Sequence, residues 1–172
     1  EYRGIIEEFQ EDEVICSLAF VKEDGVELLS KVYLYQGLPK ADKMELIIQK
    51  AVELGVYEII PVATKRAVVK LDEKKSKSKI ARWQAISEAA AKQSKRAIIP
   101  QIADVVSFKE ALKDCQKAQI KVIPYELAEG MEKTKEIIDG LKPGEDVAIF
   151  IGPEGGFDES EIEAAINDGV EP

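Results

Sequence analysis

Residues 146–166, DVAIFIGPEGGFDESEIEAAI, decide the fold class. An apolar run without alternation ends at Ile151, a glycine-rich turn follows, and an acidic helical pattern opens at Asp158. A strand apolar on both faces belongs in a sheet covered on both faces. Asp158 with Glu161 three residues on has the spacing of a capping box, and Gly169 suits the helix stop. In open α/β sheets ligands sit beyond the carboxyl ends of the strands, so Ile151, Gly152, Pro153, Glu154, Gly155 and Gly156 are candidate binding residues. Glycines let backbone N–H and C=O groups approach a ligand, and Pro153 stiffens the start of the loop. The spacing is neither GxGxxG nor GxxxxGK[ST], which removes the dinucleotide and P-loop readings. An adenine ring held by backbone amides and carbonyls suits such a loop. The alternative is a plain βα turn, although those ordinarily need fewer glycines.

Upstream, the same alternation of strand and helix extends back to Leu38. Asp42 and Glu45 again have capping-box spacing, Met44, Ile47, Ile48, Ala51 and Leu54 share a helical face, and Gly55 suits the C′ position. YEIIPVAT (57–64) reads as a strand. A helix over 78–94 sets Ile80, Trp83, Ile86 or Ser87, and Ala90 on one side, with Trp83 in the core. FKEALKDCQ (108–116) is a short helix, IKVIPYE (120–126) a strand, and 131–141 a helix before the Lys142-Pro143-Gly144 turn. Apolar strands separated by helices predict a mostly parallel sheet covered on both faces. The first 35 residues differ. YRGIIEEF, EVICSLAFV and VELLSKVYLYQ read as three strands, too few to close a barrel or sandwich, so they are expected to be the remainder of a small β-domain.

Bulk properties narrow the function classes. At 172 residues, 45% hydrophobic and 33% charged, the chain fits one soluble domain plus part of another. No apolar run suits a membrane span and Glu1-Tyr2-Arg3 is unlike a signal peptide, so the expected location is cytoplasmic. Cys16 and Cys115 stand far apart in no CxxC spacing and are expected to be reduced thiols. Without histidine, Ser-His-Asp and Cys-His catalysis are excluded within these residues, and no metal site is expected. The net charge of −9 argues against a nucleic-acid partner until its distribution is considered. Residues 65–96 hold eleven Lys/Arg against three acids, giving +8 there and −17 elsewhere. A local basic surface attracts phosphates; a solvated helix face is the other reading.

Two further segments carry possible chemistry. Ile123, Pro124, Tyr125 and Glu126 end a strand and would flank the same crevice if that strand neighbours the one ending at Ile151. Tyr125 suits packing on a ring and Glu126 suits ribose hydroxyls; a proline turn with an exposed Glu is the alternative. In SEAAAKQSKRAIIPQI (87–102), Gln93 and Arg96 are three apart and share a helical face. They suit a base edge and a phosphate respectively, or they simply end a helix with cations that complement its dipole.

Three longer stretches carry a resemblance: LYQGLPKADKMELIIQKAVELGVYEIIPVATKRAVVK (34–70), RWQAISEAAAKQSKRAIIPQI (82–102) and IFIGPEGGFDESEI (149–162). They resemble the bacterial 16S ribosomal RNA uridine-N3 methyltransferase family (ribosomal RNA small subunit methyltransferase E), a branch of the SPOUT superfamily. The resemblance runs from about residue 33 to 172. Residues 1–32 resemble the latter part of that family's PUA-like RNA-binding β-domain. It implies an α/β fold with a trefoil-knotted parallel sheet and S-adenosylmethionine held by three loops. The first would be Ile123, Pro124, Tyr125, Glu126 and Leu127, and the second Gly152 through Gly156. Arg66, Gln93 and Arg96 match positions that face the RNA or the mouth of the site. The implied partners are 16S ribosomal RNA or the small ribosomal subunit, and a second copy in a homodimer. The family pattern continues with a strand and a motif like LGxRILRTETA that completes the knot and the third loop. This sequence stops before it, so either the chain is a fragment of a longer polypeptide or its further ends are disordered; as it stands it would lack part of the cofactor site and is not expected to be active alone. No general base is assigned. A SPOUT enzyme acting on ribose 2′-O or guanine, and a non-catalytic RNA- or ribosome-binding protein, stay open as alternatives.

Overall fold

A computed structural model describes residues 2–21, 25–69, 73–125 and 132–172. Two strands, β1 (Tyr2–Phe9) and β2 (Val14–Val21), form an antiparallel hairpin with Arg3 opposite Phe20. The main body then runs β3 (Val32–Gly37), α1 (Lys43–Glu53), β4 (Glu58–Ala63), α2 (Glu73–Gln93), β5 (Gln101–Ile102), β6 (Val106–Ser107), α3 (Phe108–Asp114), a 3-10 turn (Cys115–Lys117), β7 (Ile120–Val122), α4 (Glu132–Gly140), β8 (Val147–Ile151) and α5 (Glu159–Asn167). Its sheet has the order β5-β4-β3-β8-β7, with β6 also beside β4, and every pairing is parallel. The parallel α/β body read from the strand–helix alternation is therefore present.

Side-chain alternation along the central strands builds two cores. Tyr33 and Tyr35 of β3, with Ile60 and Val62 of β4, join Phe108, Ala111, Leu112, Ile162 and Ala165 from α3 and α5. Leu34 and Ile59 join Met44, Ile48, Val52, Trp83 and Ala90 from α1 and α2. Successive strand residues point to opposite faces, so the helices cover both sides of the sheet. Tyr35 stacks on Phe150 with ring centroids 4.6 Å apart, and Phe108 meets Phe150 edge-on at 5.9 Å. The Tyr35 hydroxyl donates to Asp114 Oδ2 at 2.7 Å. Burial first, then that bond, pushes its pKa far up.

Two local expectations need correction. Residues 26–30 form no strand, and β3 lies at the centre of the parallel sheet between β4 and β8 rather than in a β-domain. The physical reason is that Val32–Gly37 is buried from both faces, which only a central strand requires. The second concerns α1. Asp42 makes no side-chain cap bond because its φ of −94° and ψ of 10° are not the extended conformation that capping needs. Glu45 instead pairs with Arg82 at 2.8 Å. Leu54 is 82% exposed because α1 has already ended at Glu53. By contrast α5 closes both halves of its box, and so does α3 through Ser107 and Glu110. One edge of the sheet is split between β5 and β6. The Ile59 carbonyl accepts from Ala103 N–H on that side, so Pro61, two residues on, turns its donor-less nitrogen towards the same edge. The ladder breaks there and resumes at Val62 opposite Val106.

Gln93 and Arg96 do not share an outward face. Gln93 is exposed, whereas the Arg96 side chain is 6% exposed. Its guanidinium donates to the Val52 and Val56 carbonyls at the end of α1 and to the Glu27 carboxylate. Glu27 also accepts from the Ala97 and Ile98 amides. Burial pushes the Glu27 carboxyl up, but the guanidinium and the two amides outweigh it and hold the pKa below the usual range. One ion pair thus joins the segment before β3 to the ends of α1 and α2. Arg96→Met is expected to destabilise the fold by about 3–5 kcal/mol, the loss that follows breaking a buried pair. Gln93→Ala should stay within about 0.5 kcal/mol. Urea denaturation of both variants checks the contrast.

Candidate ligand site at the carboxyl edge of the sheet

Strands β3 and β8 are neighbours, with Gln36 opposite Ile151. The chain leaves β3 towards α1 on one face and leaves β8 towards α5 on the other. That divergence is a topological switch point, where a crevice opens beyond the strand ends. The crevice holds about 510 Å³ and is walled by Arg66, Pro124, Tyr125, Phe157, Glu159 and the Gly152 to Gly156 loop. Its size lies within the range of about 300–1,000 Å³ usual for small-molecule sites.

The two segments singled out by sequence do meet here. β7 lies beside β8, which brings Pro124 and Tyr125 opposite the glycine loop. Arg66, from the turn after β4, completes the wall. Ile123 is fully buried beneath, and Ile151 is the last residue of β8. Glu126 and Leu127 lie outside the described residues. Gln93 and Arg96 are not among the residues lining the crevice.

Close packing shapes the loop. A Cβ on Gly37 would stand 2.7 Å from Pro153 Cδ and 2.9 Å from its nitrogen, so β3 must end in glycine for the loop to pass. Gly152 has the Gly156 backbone 3.1 Å from its own missing Cβ, and Gly156 sits at φ +66°. A turn bond runs from Gly156 N–H to the Pro153 carbonyl at 2.9 Å. Gln36, 2% exposed, donates its amide to the Gly37 carbonyl at 2.9 Å and lies 3.4 Å from that of Gly152. Sequence reading missed Gln36, although it is the polar residue in an otherwise apolar run. Arg66 Nη1 donates to the Gly155 carbonyl at 3.1 Å. The buried Glu161 carboxylate accepts from Lys65 N–H at 2.9 Å and from Asp158 N–H at 3.0 Å, tying the turn after β4 to the start of α5.

Glu154 reaches the other way. Its carboxylate accepts from Lys40 N–H at 3.1 and 3.2 Å and pairs with Lys43 Nζ at 2.9 Å. The Lys43 ammonium, followed by its own amide and that of Lys40, holds the Glu154 pKa down at about 2. The carboxylate is therefore ionised throughout the neutral range. Cys115 is buried, and that burial pushes its thiol up to about 11, which leaves it a packing residue. Among the described residues no three His, Cys, Asp or Glu gather to hold a metal ion, and no helix is long and apolar enough to cross a membrane. What the crevice offers is backbone amides and carbonyls, a half-buried tyrosine ring, one arginine and a glutamate, Glu159.

An open parallel α/β body with a crevice at its switch point is the arrangement in which α/β domains hold small ligands. The chain belongs to the family described as the RNA methyltransferase domain, which matches residues 26–172. It is 40% identical over 161 residues to the ribosomal RNA small subunit methyltransferase E of Bacillus subtilis, covering 92% of this chain and 63% of that protein. A crystal structure described only as a hypothetical protein superposes with a TM-score of 0.90 at 38% identity, covering 98% of this chain and 67% of that one. The ribosomal RNA small subunit methyltransferase E of Neisseria gonorrhoeae, solved bound to S-adenosyl methionine, gives a TM-score of 0.79 at 27% identity, with 98% and 67% covered. The chain thus spans about two thirds of the length of these proteins.

The glycines make separable predictions. Gly37→Ala should cost about 1–3 kcal/mol through overpacking against Pro153. Gly156→Ala should cost about 1–2 kcal/mol through its left-handed backbone. Gly155, whose added Cβ would meet Arg66 no closer than 3.8 Å, should accept alanine within about 0.5 kcal/mol. Thermal unfolding of the three variants ranks them.

Proposed function

We propose that the intact polypeptide transfers a methyl group from S-adenosylmethionine to N3 of a uridine in small-subunit ribosomal RNA. The observation that carries this reading is the glycine loop standing opposite Pro124 and Tyr125 at the switch point, in a chain related to enzymes of that name. The sheet body would then be of the SPOUT type with a trefoil knot, and the β1–β2 hairpin part of a PUA-like domain. The working form would be a cytoplasmic homodimer.

The crevice fits the cofactor chemically. Backbone groups of Gly152 through Gly156 suit the adenine edge, Tyr125 suits a ring face, and Ile123 and Ile151 hold the two loops at their strand ends. Glu126 and Leu127 complete the first loop in this reading. When bound, S-adenosylmethionine supplies a methyl group activated by a positively charged sulfur. The protein's contribution is alignment: methyl transfer is an in-line displacement, and two rigid strand ends fix the donor side of that line. Uridine N3 must lose its proton, and Arg66 on the crevice wall is placed to neutralise the charge that develops on the base or an adjacent phosphate. Gln93 is exposed to meet RNA, while the buried Arg96 ties the end of α1 to Glu27.

The test is transfer of labelled methyl groups to small subunits lacking the modification, followed by nucleoside mapping. The expected product is 3-methyluridine; a ribose-methylated or guanine-methylated nucleoside would move the chain to another SPOUT specificity. Failure of the intact protein to bind S-adenosylmethionine in calorimetric titration would leave the non-catalytic RNA-binding reading. Arg66→Ala should weaken RNA binding and lower the slope of log affinity against log salt by about 1, as for one lost phosphate contact.

A further inference from the structure

The loop from Gly152 to Gly156 has little stiffness of its own beyond Pro153. Three of its residues are glycine, the residue type that loses most conformational freedom on folding. Its own turn bond joins Pro153 to Gly156. Every other tether comes from outside, and the tethers divide by side of the sheet. Gln36 and Arg66 grip the carbonyls of Gly152 and Gly155. Glu154 grips the opposite side, towards the turn between β3 and α1, where Lys40 N–H and Lys43 Nζ occupy its carboxylate. Lys40 N–H has no backbone acceptor among the described residues, so the Glu154 carboxylate is its partner. A carboxylate beside a bound sulfonium cation invites the view that it attracts the positive charge. Its geometry is different: Oε1 faces the ammonium and both oxygens lie within hydrogen-bond reach of one amide.

We infer that Glu154 is a positioning residue, a staple that bridges the switch point from the loop to Lys40 and Lys43 and fixes the loop backbone for the ligand without contacting the transferred methyl group or its sulfur. This rests on the S-adenosylmethionine reading of the crevice. The staple joins the exits of β3 and β8, the two strands that separate into opposite helical layers. Fixing that gap fixes the width of the crevice, so the effect reaches every part of a bound ligand equally.

The experiment compares S-adenosylmethionine, which carries a sulfonium, with S-adenosylhomocysteine, which carries a neutral thioether, on the intact protein by calorimetric titration. Glu154→Gln and Lys43→Met should each weaken both ligands by the same factor, about two- to fivefold, the size of an exposed ion pair. Glu154→Ala also gives up the Lys40 bond and should weaken both by about tenfold. Adding Lys43→Met to Glu154→Ala should change nothing further, as expected of two groups that act as one unit. Hydrogen exchange supplies a readout that needs no ligand: the Lys40 amide should be protected in the unmodified protein and in Glu154→Gln, and exposed in Glu154→Ala. A selective loss of S-adenosylmethionine over S-adenosylhomocysteine in Glu154→Gln would overturn the inference in favour of direct charge contact. So would additivity of the Lys43 and Glu154 changes. Unmodified protein that binds neither ligand, while its Lys40 amide stays protected, would overturn the cofactor reading and with it the positioning role. Equal Lys40 exchange in all variants would overturn the staple itself.

Discussion

Nothing larger than hydrogen fits on Gly37, because Pro153 occupies the space a side chain would need. Two parallel strands can bring their exits this close only if one ends in glycine and the other turns sharply, and the residues around the contact follow from that requirement. Gln36, one step before, is driven inside with β3 and must find acceptors for its amide; the carbonyls of Gly37 and Gly152 are the nearest ones. Beyond the contact the chain parts in two directions, towards α1 and towards α5. The crevice is the gap left between them.

The gap is braced from both layers. Towards α5, Glu161 collects the amides of Lys65 and Asp158, and Arg66 holds the Gly155 carbonyl. Towards α1, Glu154 collects Lys40 and Lys43. Charged side chains are here aimed at backbone groups of neighbouring turns, which makes their geometry more defined than that of ordinary surface pairs. A ligand entering this crevice meets a frame already assembled, and the binding energy is not diverted into ordering the loop.

Much of this was legible in the order of residues, for a physical reason. Strands buried on both faces, the capping box at Asp158 and the left-handed glycine stops at Gly55 and Gly169 depend on neighbours a few positions away. The pairing of Pro124 and Tyr125 with the glycine loop needed one further assumption, that β7 and β8 are adjacent, and they are. What could not be read depends on distant partners. Arg96 looks like a typical outward cation at a helix end until Glu27, 69 residues away, is seen to draw it in. Asp42 has the right spacing for a cap, but the backbone that precedes it, with Ala41 at φ 51°, sets it in the wrong conformation. Val26 to Ser30 has strand-like composition, yet its polar groups are claimed by Arg96, Gly144 and the ends of other elements.

The proline in β4 has one more consequence. A sheet's outer rim is a standing invitation to a foreign strand, because a row of free amides and carbonyls can template another chain. Here that rim is two strands of two residues each, interrupted opposite Pro61. Too few consecutive groups line up to zip a stranger along it. The nitrogen that cannot donate therefore does more than split an edge: it shortens the run of strand that this flank can offer to another chain.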